Sequence, residues 1–141
     1  MTEGNRYLKL EFNAAEENIA IARLAAALFG GKRGLSFNDT EELKVAVSEA
    51  VSNAVIHGYG GDESRVVEMT LTADAAELTV TVKDTGIGIA DPKKALEPTF
   101  SSVSDRMGLG FVFMSSFTDG LTVDSAPGQG TTVTMRKHLP E

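Results

Sequence analysis

The stretch Leu78-Thr79-Val80-Thr81-Val82-Lys83-Asp84-Thr85-Gly86-Ile87-Gly88-Ile89 alternates until it meets a carboxylate and then breaks into glycines. Side chains alternate across a strand, so Leu78, Val80 and Val82 share one face. Asp84 continues that parity, and its carboxylate points to the buried face at the strand's end. A lone buried carboxylate is costly unless a donor meets it. Two readings are open: an Asp that caps the turn before Gly86, or an acceptor waiting for a ligand's N–H. Gly86 and Gly88 let the backbone approach a flat ligand closely or take a positive φ. Such a pair alone is weak evidence.

Outward from this stretch the chain reads as short elements of both kinds. Val67, Met69 and Leu71 share a face in Val66–Thr72, and Ala73–Ala76 is a short link, which predicts a hairpin. Tyr7–Phe12 alternates and reads as a first strand. Asn13, with Glu16 three residues on, predicts the start of an alanine-rich helix that runs to about Phe29 and is broken by Gly30-Gly31. Asn38 or Asp39 caps a second helix, Thr40 to about His57, ended by Gly58. Downstream, Thr85–Gly110 is a long glycine-bearing loop with a short helical piece near Pro92–Leu96. Loops of that length inside a small domain are usually functional. A helix restarts near Leu109 and runs to about Phe117. A last hairpin, Leu121–Ser125 and Thr131–Lys137, turns on Pro127-Gly128-Gln129-Gly130. The order predicts an α+β fold: a two-layer sandwich of a mixed, mostly antiparallel sheet with helices on one face.

Composition narrows the class. The 141 residues suit one domain over 1–141. Basic residues number 13 and acidic ones 20, so 13 − 20 = −7. That charge disfavours direct nucleic-acid or anionic-membrane binding and suits a basic protein partner. The absence of cysteine excludes disulfides, thiolate metal sites and cysteine nucleophiles. No apolar run approaches the ~18 residues of a membrane span, and Met1–Leu10 does not read as a signal peptide. A cytoplasmic location is the expectation.

Three further groups could carry chemistry. Glu49, Asn53 and His57 recur at i, i+4 and i+8 along the border of the second helix's apolar stripe, Leu43, Val47, Ala50 and Ala54. The row is either a solvated face or a carboxylate that activates a hydroxyl beside a carboxamide that offers an oxygen to Mg²⁺. His57 reads more simply as a residue that compensates the helix dipole. Gly108-Leu109-Gly110, at the start of a predicted helix, is either a loop end or a phosphate cradle. Thr131 shares the parity of Val133 and Met135, so its hydroxyl can point inward or bond its own backbone.

Taken in order, Glu49-x-x-x-Asn53, Asp84-x-Gly86-x-Gly88, Gly108-x-Gly110 and Gly130-Thr131 resemble the GHKL ATP-binding superfamily of gyrase and histidine kinases. Val47-Ser48-Glu49-Ala50-Val51-Ser52-Asn53-Ala54-Val55-Ile56-His57-Gly58-Tyr59 is similar to the N-box of its anti-sigma factor serine/threonine kinases. The ending Gly130–Leu139 and the compact length resemble the sporulation anti-sigma F factors of endospore-forming bacteria.

The resemblance implies ATP or ADP with Mg²⁺ as cofactors. It implies that Asp84 accepts from the adenine amino group with support from Thr131, and that Gly86 and Gly88 open the base pocket. It further implies that Asn53 holds Mg²⁺, that Glu49 polarises the attacking hydroxyl, and that Gly108 and Gly110 let the lid wrap the phosphates. The lid, Thr99–Gly110, departs from the family's pattern: it is shorter and lacks a lysine. Ser101, Ser102 and Arg106 are then the groups left to touch phosphate. The partners implied are a sigma factor (sigma-F by the resemblance), an anti-anti-sigma protein phosphorylated on serine, and a second copy in a homodimer. Arg23 on the first helix is the implied partner contact, with a merely solubilising role as its alternative. A nucleotide-binding regulatory module without phosphotransfer, or a histidine-kinase-type catalytic domain, would share the same fold.

Overall fold

The computed structural model describes residues 5–95 and 105–140. In chain order the elements are β1 (Arg6–Asn13), α1 (Glu17–Lys32), α2 (Phe37–Ser52), a π-helical turn (Asn53–Gly58), β2 (Val66–Ala73), β3 (Glu77–Asp84), α3 (Pro92–Ala95), α4 (Asp105–Ser116), β4 (Gly120–Ala126) and β5 (Gly130–His138). The strands line up as β1-β2-β3-β5-β4. Each neighbouring pair is antiparallel, so the sheet is not mixed as the element order suggested. The reason is topological. β4 runs in the same sense as β3 but lies one place further out, with its hairpin partner β5 between them.

Register carries the alternation across the sheet. Met69, Val82, Val133 and Val123 form one inward row, and Leu71, Val80, Met135 and Leu121 the next. At the site end, Asp84, Thr131 and Ser125 are paired in a third inward row. The other face bears Thr70, Thr81, Thr134 and Thr122 in register. These β-branched residues favour strand while remaining compatible with water.

The helices cover the inward face. Ala22, Ala26 and Gly30 of α1 meet an α2 face of Leu43, Ala46, Val47, Ala50 and Val51, all buried. Small residues let the two helices approach closely. Phe111 and Met114 of α4 complete the core. Burying each such large side chain stabilises the fold by ~1.5–3 kcal/mol. Lys137 is buried at the far end of β5. Its Nζ donates to Glu42 Oε1 at 2.8 Å and to the Phe117 carbonyl at 2.8 Å, tying the end of α4 to the start of α2.

Four helix ends differ from the sequence expectation. α1 starts at Glu17, because Asn13 is the last residue of β1 and receives the Asn18 side chain instead of capping. It runs through Gly30-Gly31, since Gly30 is a packing position: a methyl there would stand 2.7 Å from Leu35 Cδ1. The stop comes at Gly34, whose φ of +93° closes a Schellman turn through Leu35 N–H to Gly30 O and Gly34 N–H to Gly31 O. α2 is capped a turn earlier than expected, by Ser36 Oγ accepting from Asp39 N–H at 3.1 Å. α4 begins at Asp105, so Gly108 and Gly110 lie inside it, not at its opening. No helix among the described residues is long and apolar enough to cross a membrane.

Candidate functional site

β3 ends by delivering Asp84 to the inward face, where the residue is only 6% exposed. Burial pushes its carboxyl above the ordinary value. The backbone N–H groups of Gly86 and Thr131, and the charge of Arg65, pull the other way. Gly86 N–H donates to Asp84 Oδ1 at 2.9 Å. An ionised carboxylate has about four lone-pair sites. Two backbone donors therefore leave it able to accept from a ligand.

The surroundings press on this carboxylate from two sides. The π-helical turn brings Gly58 so close that a methyl there would stand 2.8 Å from Asp84 Oδ1. A side chain at Gly86 would collide with the Gly58 carbonyl oxygen. Gly88 has φ +75°, and a side chain there would strike the Ala126 carbonyl oxygen. The glycines thus serve close backbone approach around the pocket. The loop is anchored on β4: Ile89 N–H donates to Ser125 Oγ at 2.7 Å, and Ser125 Oγ donates to the Gly130 carbonyl at 2.9 Å. Ser125 Oγ also lies 2.9 Å from Thr131 Oγ1, inside the same row as Asp84.

Gly58, Asp84, Gly88 and Thr131 line a cavity of about 150 Å³. Asn53, His57, Asp84 and Thr131 are its polar members, and its walls are apolar, among them Val82, Ile87, Ile89 and Phe111. Pockets that enclose whole small molecules run to ~300–1,000 Å³. This cavity has the size of one flat ring rather than of a whole small molecule.

Glu49 and Asn53 are one turn apart, at the end of α2 and the start of the π-helical turn. Gly110 of α4 faces them: a methyl there would stand 3.0 Å from Glu49 Oε1 and 3.7 Å from both polar atoms of the Asn53 carboxamide. Asn53 Nδ2 is buried without a hydrogen-bond partner. Such a group is destabilising until something accepts from it.

Residues 12–137 match the family model described as a histidine kinase-like ATPase domain. Over 138 residues the chain is 39% identical to the anti-sigma F factor of Clostridium novyi, covering 96% of each. It is 41% identical over 132 residues to that of Clostridium acetobutylicum, covering 92% of each. The anti-sigma F factor of Bacillus velezensis is 38% identical over 134 residues, 94% of this chain and 92% of the relative. The chain belongs to the anti-sigma F factor family.

In this family member the expected residues fall into two ends of one site. Asp84, Gly88, Thr131 and Asn53 line the cavity, Gly86 packs behind Asp84 against Gly58, and Glu49 and Gly110 stand beside Asn53. Gly108 lies on the first turn of α4. Ser101 and Ser102 lie outside the described residues, as does the side chain of Arg106. Arg23 is separate: its Nη1 donates to Ser48 Oγ at 3.5 Å, in a groove between α1 and α2 that also reaches Glu49. Sequence reasoning missed Ser125, although its parity with Val123 pointed inward. It also missed Phe111, which a helix starting at Asp105 would have turned toward the sheet. His57, read as a helix-end residue, lines the cavity. The exposed stripe Ile21, Leu24 and Leu28 on α1, 57%, 58% and 66% exposed, was legible as i, i+3, i+7 spacing.

Proposed function

We propose that the chain is a single-domain cytoplasmic anti-sigma factor that also acts as an ATP-dependent protein serine/threonine kinase. It holds a sigma factor, sigma-F by its relatives' names, and phosphorylates a serine of its own antagonist, an anti-anti-sigma protein. The observation that carries the enzymatic part is the pairing of the Asp84 cavity with the Glu49–Asn53–Gly110 cluster. A base pocket ending in a carboxylate opens toward a second carboxylate beside an orphaned carboxamide.

Each residue has one task in this reading. Asp84 accepts from the exocyclic amino group of adenine, and Thr131 supports it. Gly86 and Gly88 keep the backbone clear of the ring. Asn53 fits the metal–phosphate end, because its Oδ1 is a hard oxygen donor and its Nδ2 has no partner. Among the described residues no three His, Cys, Asp or Glu side chains form a metal cluster. The Mg²⁺ of the family would thus take most of its ligands from phosphate and water, as that ion usually does. When bound, it neutralises charge on the transferring phosphoryl group. Glu49 takes the proton of the attacking serine hydroxyl. Gly110 leaves room for Glu49, and Gly108, Ser101, Ser102 and Arg106 are the lid's contributions on the phosphate side.

The partner side rests on surface character. Sigma factors carry basic DNA-binding surfaces, and the chain's charge of −7 favours association with such a partner. Arg23 and the apolar stripe beside it on α1 are the contact surface in this reading. Assembly as a homodimer belongs to the same proposal, supported by the alternation along β1, an edge strand of the sheet. Incubation with labelled ATP and Mg²⁺, with and without an anti-anti-sigma protein, tests the chemistry. Label on serine of that protein is expected. Label on histidine, or none, would favour a histidine-kinase-type domain or a regulatory module that only binds nucleotide.

A further inference from the structure

Asp84 is held by a neighbour that is itself gripped from outside the cavity. Thr85 lies between the buried carboxylate and the glycines, and its polar groups are engaged by two side chains. Its N–H donates to the Tyr59 hydroxyl at 2.8 Å. Its carbonyl accepts from Arg65 Nη2 at 2.9 Å. Its hydroxyl lies 3.3 Å from that of Tyr59 and 3.4 Å from Arg65 Nη2. Tyr59 has one hydroxyl proton, and it goes to the Val66 carbonyl at 2.6 Å. The tyrosine oxygen therefore acts toward Thr85 as an acceptor only. Arg65 also stacks over the Tyr59 ring, its guanidinium carbon 4.7 Å from the centroid, so the two side chains brace each other.

The arrangement spans both ends of the site. Tyr59 directly follows the π-helical turn that carries Asn53 and Gly58, and its N–H closes back on the Ala54 carbonyl at 3.0 Å. Ile87 N–H donates to the Gly58 carbonyl at 3.0 Å. The turn after β3 carries two glycines, each with more conformational freedom than any other residue. Without an external grip, the backbone at Asp84 and Thr85 would sample more states, and a hydrogen bond to the carboxylate would have to order it first.

We infer that Tyr59 and Arg65 are positioning residues of the nucleotide site: by holding Thr85 they fix the Asp84 carboxylate and so set the preference for an amino-bearing purine. The inference rests on the reading of Asp84 as the acceptor for the adenine amino group. Neither side chain lines the Asp84 cavity. They act through backbone placement, and the substrate contact is made by Asp84.

The test uses the full chain with Tyr59→Phe, Arg65→Met and Arg65→Lys, titrated with ATP and with GTP, whose ring carries an oxygen where adenine has its amino group. Tyr59→Phe is expected to weaken ATP binding about five- to thirtyfold and Arg65→Met about three- to tenfold. Arg65→Lys should regain part of the loss, since a lysine donates without the planar fork. GTP affinity should move little, so the ATP-to-GTP ratio falls with the ATP affinity. Thr118→Val is the control. It removes a partly buried hydrogen bond, Thr118 Oγ1 to the Met114 carbonyl at 2.6 Å, at the opposite end of α4. It should lower thermal stability without moving the ratio. Should Tyr59→Phe fail to fold, the exposed Arg65 still decides the matter. An unchanged ratio in Arg65→Met, while Asp84→Asn loses ATP in the same titration, would overturn the positioning role alone. ATP binding by Asp84→Asn at the wild-type level would overturn the reading of the base pocket, and this inference with it.

Discussion

The two ends of the site are built to opposite plans. Around Asp84 the donors and acceptors are matched: Gly86 N–H on the carboxylate, Ile89 N–H on Ser125, Thr85 between Tyr59 and Arg65. Around Asn53 they are not, and a buried amide nitrogen has no partner. The first end is anchored on two neighbouring strands, β3 and β5. The second is assembled from α2, the π-helical turn and α4. A preorganised base pocket selects its ring at little ordering cost. In the proposed reading the Asn53 end is the phosphate end; it would gain its missing hydrogen bond only when ligand arrives, which is where a nucleotide-dependent change in the protein would be driven.

The widest separation of the two ends should come from Glu49→Gln. The substitution keeps the shape of the Glu49–Asn53 end but removes the proposed base. Phosphotransfer to the protein substrate is expected to fall ~10²–10⁴-fold, with ATP binding nearly unchanged. Single-turnover kinetics beside equilibrium titration would check it. Parallel loss of binding would mean that Glu49 belongs to the binding surface.

Asp84→Asn attacks the other end. Losing a charge-assisted hydrogen bond of ~1.5–3 kcal/mol should weaken ATP binding roughly ten- to a hundredfold. The effect should be the same with and without Mg²⁺, because it concerns the base. Calorimetric titration in both conditions distinguishes this from damage at the phosphate end.

Asn53→Ala should show the reverse dependence, with about tenfold weaker binding when Mg²⁺ is present and little change in its absence. Apo stability should stay within about 0.5 kcal/mol, since the buried Nδ2 has no hydrogen bond to lose. A marked fall in the denaturation midpoint of the apo protein would show that the carboxamide is a structural group and would remove the contrast between the ends.

The smallest effect is on stability against pH. Burial raises the folded carboxyl of Asp84 above its ordinary 3.8. The folded state therefore binds the proton more tightly than the unfolded one. The contribution to stability is fully present below 3.8 and is lost as pH rises through the folded value. At neutral pH Asp84→Asn should then melt slightly higher than wild type without ligand, and the gain should fade toward pH 3.8. A mutant less stable than wild type at neutral pH would mean that the carboxylate is better solvated than its burial implies.

Strand alternation made the inward row from Leu78 to Asp84 legible, and with it the buried carboxylate, because a period of two leaves no choice of face. The N-box spacing likewise put Glu49 and Asn53 on one side of α2. Helix ends were harder, because short-range signals compete there. Asn38 and Asp39 can cap by residue type, yet α2 starts earlier and Ser36 caps it. Gly30 looks like a stop and is a contact.

Local chemistry and period in the sequence therefore determined the α+β class, the buried Asp84, the Glu49–Asn53 pair and the glycines flanking them. Tertiary structure alone decided that Gly110 faces Glu49, that Ser125 joins the Asp84 row, and that Tyr59 and Arg65 grip Thr85. Each of these joins residues roughly 20 to 60 positions apart, and a contact between distant segments leaves no periodic trace in either of them.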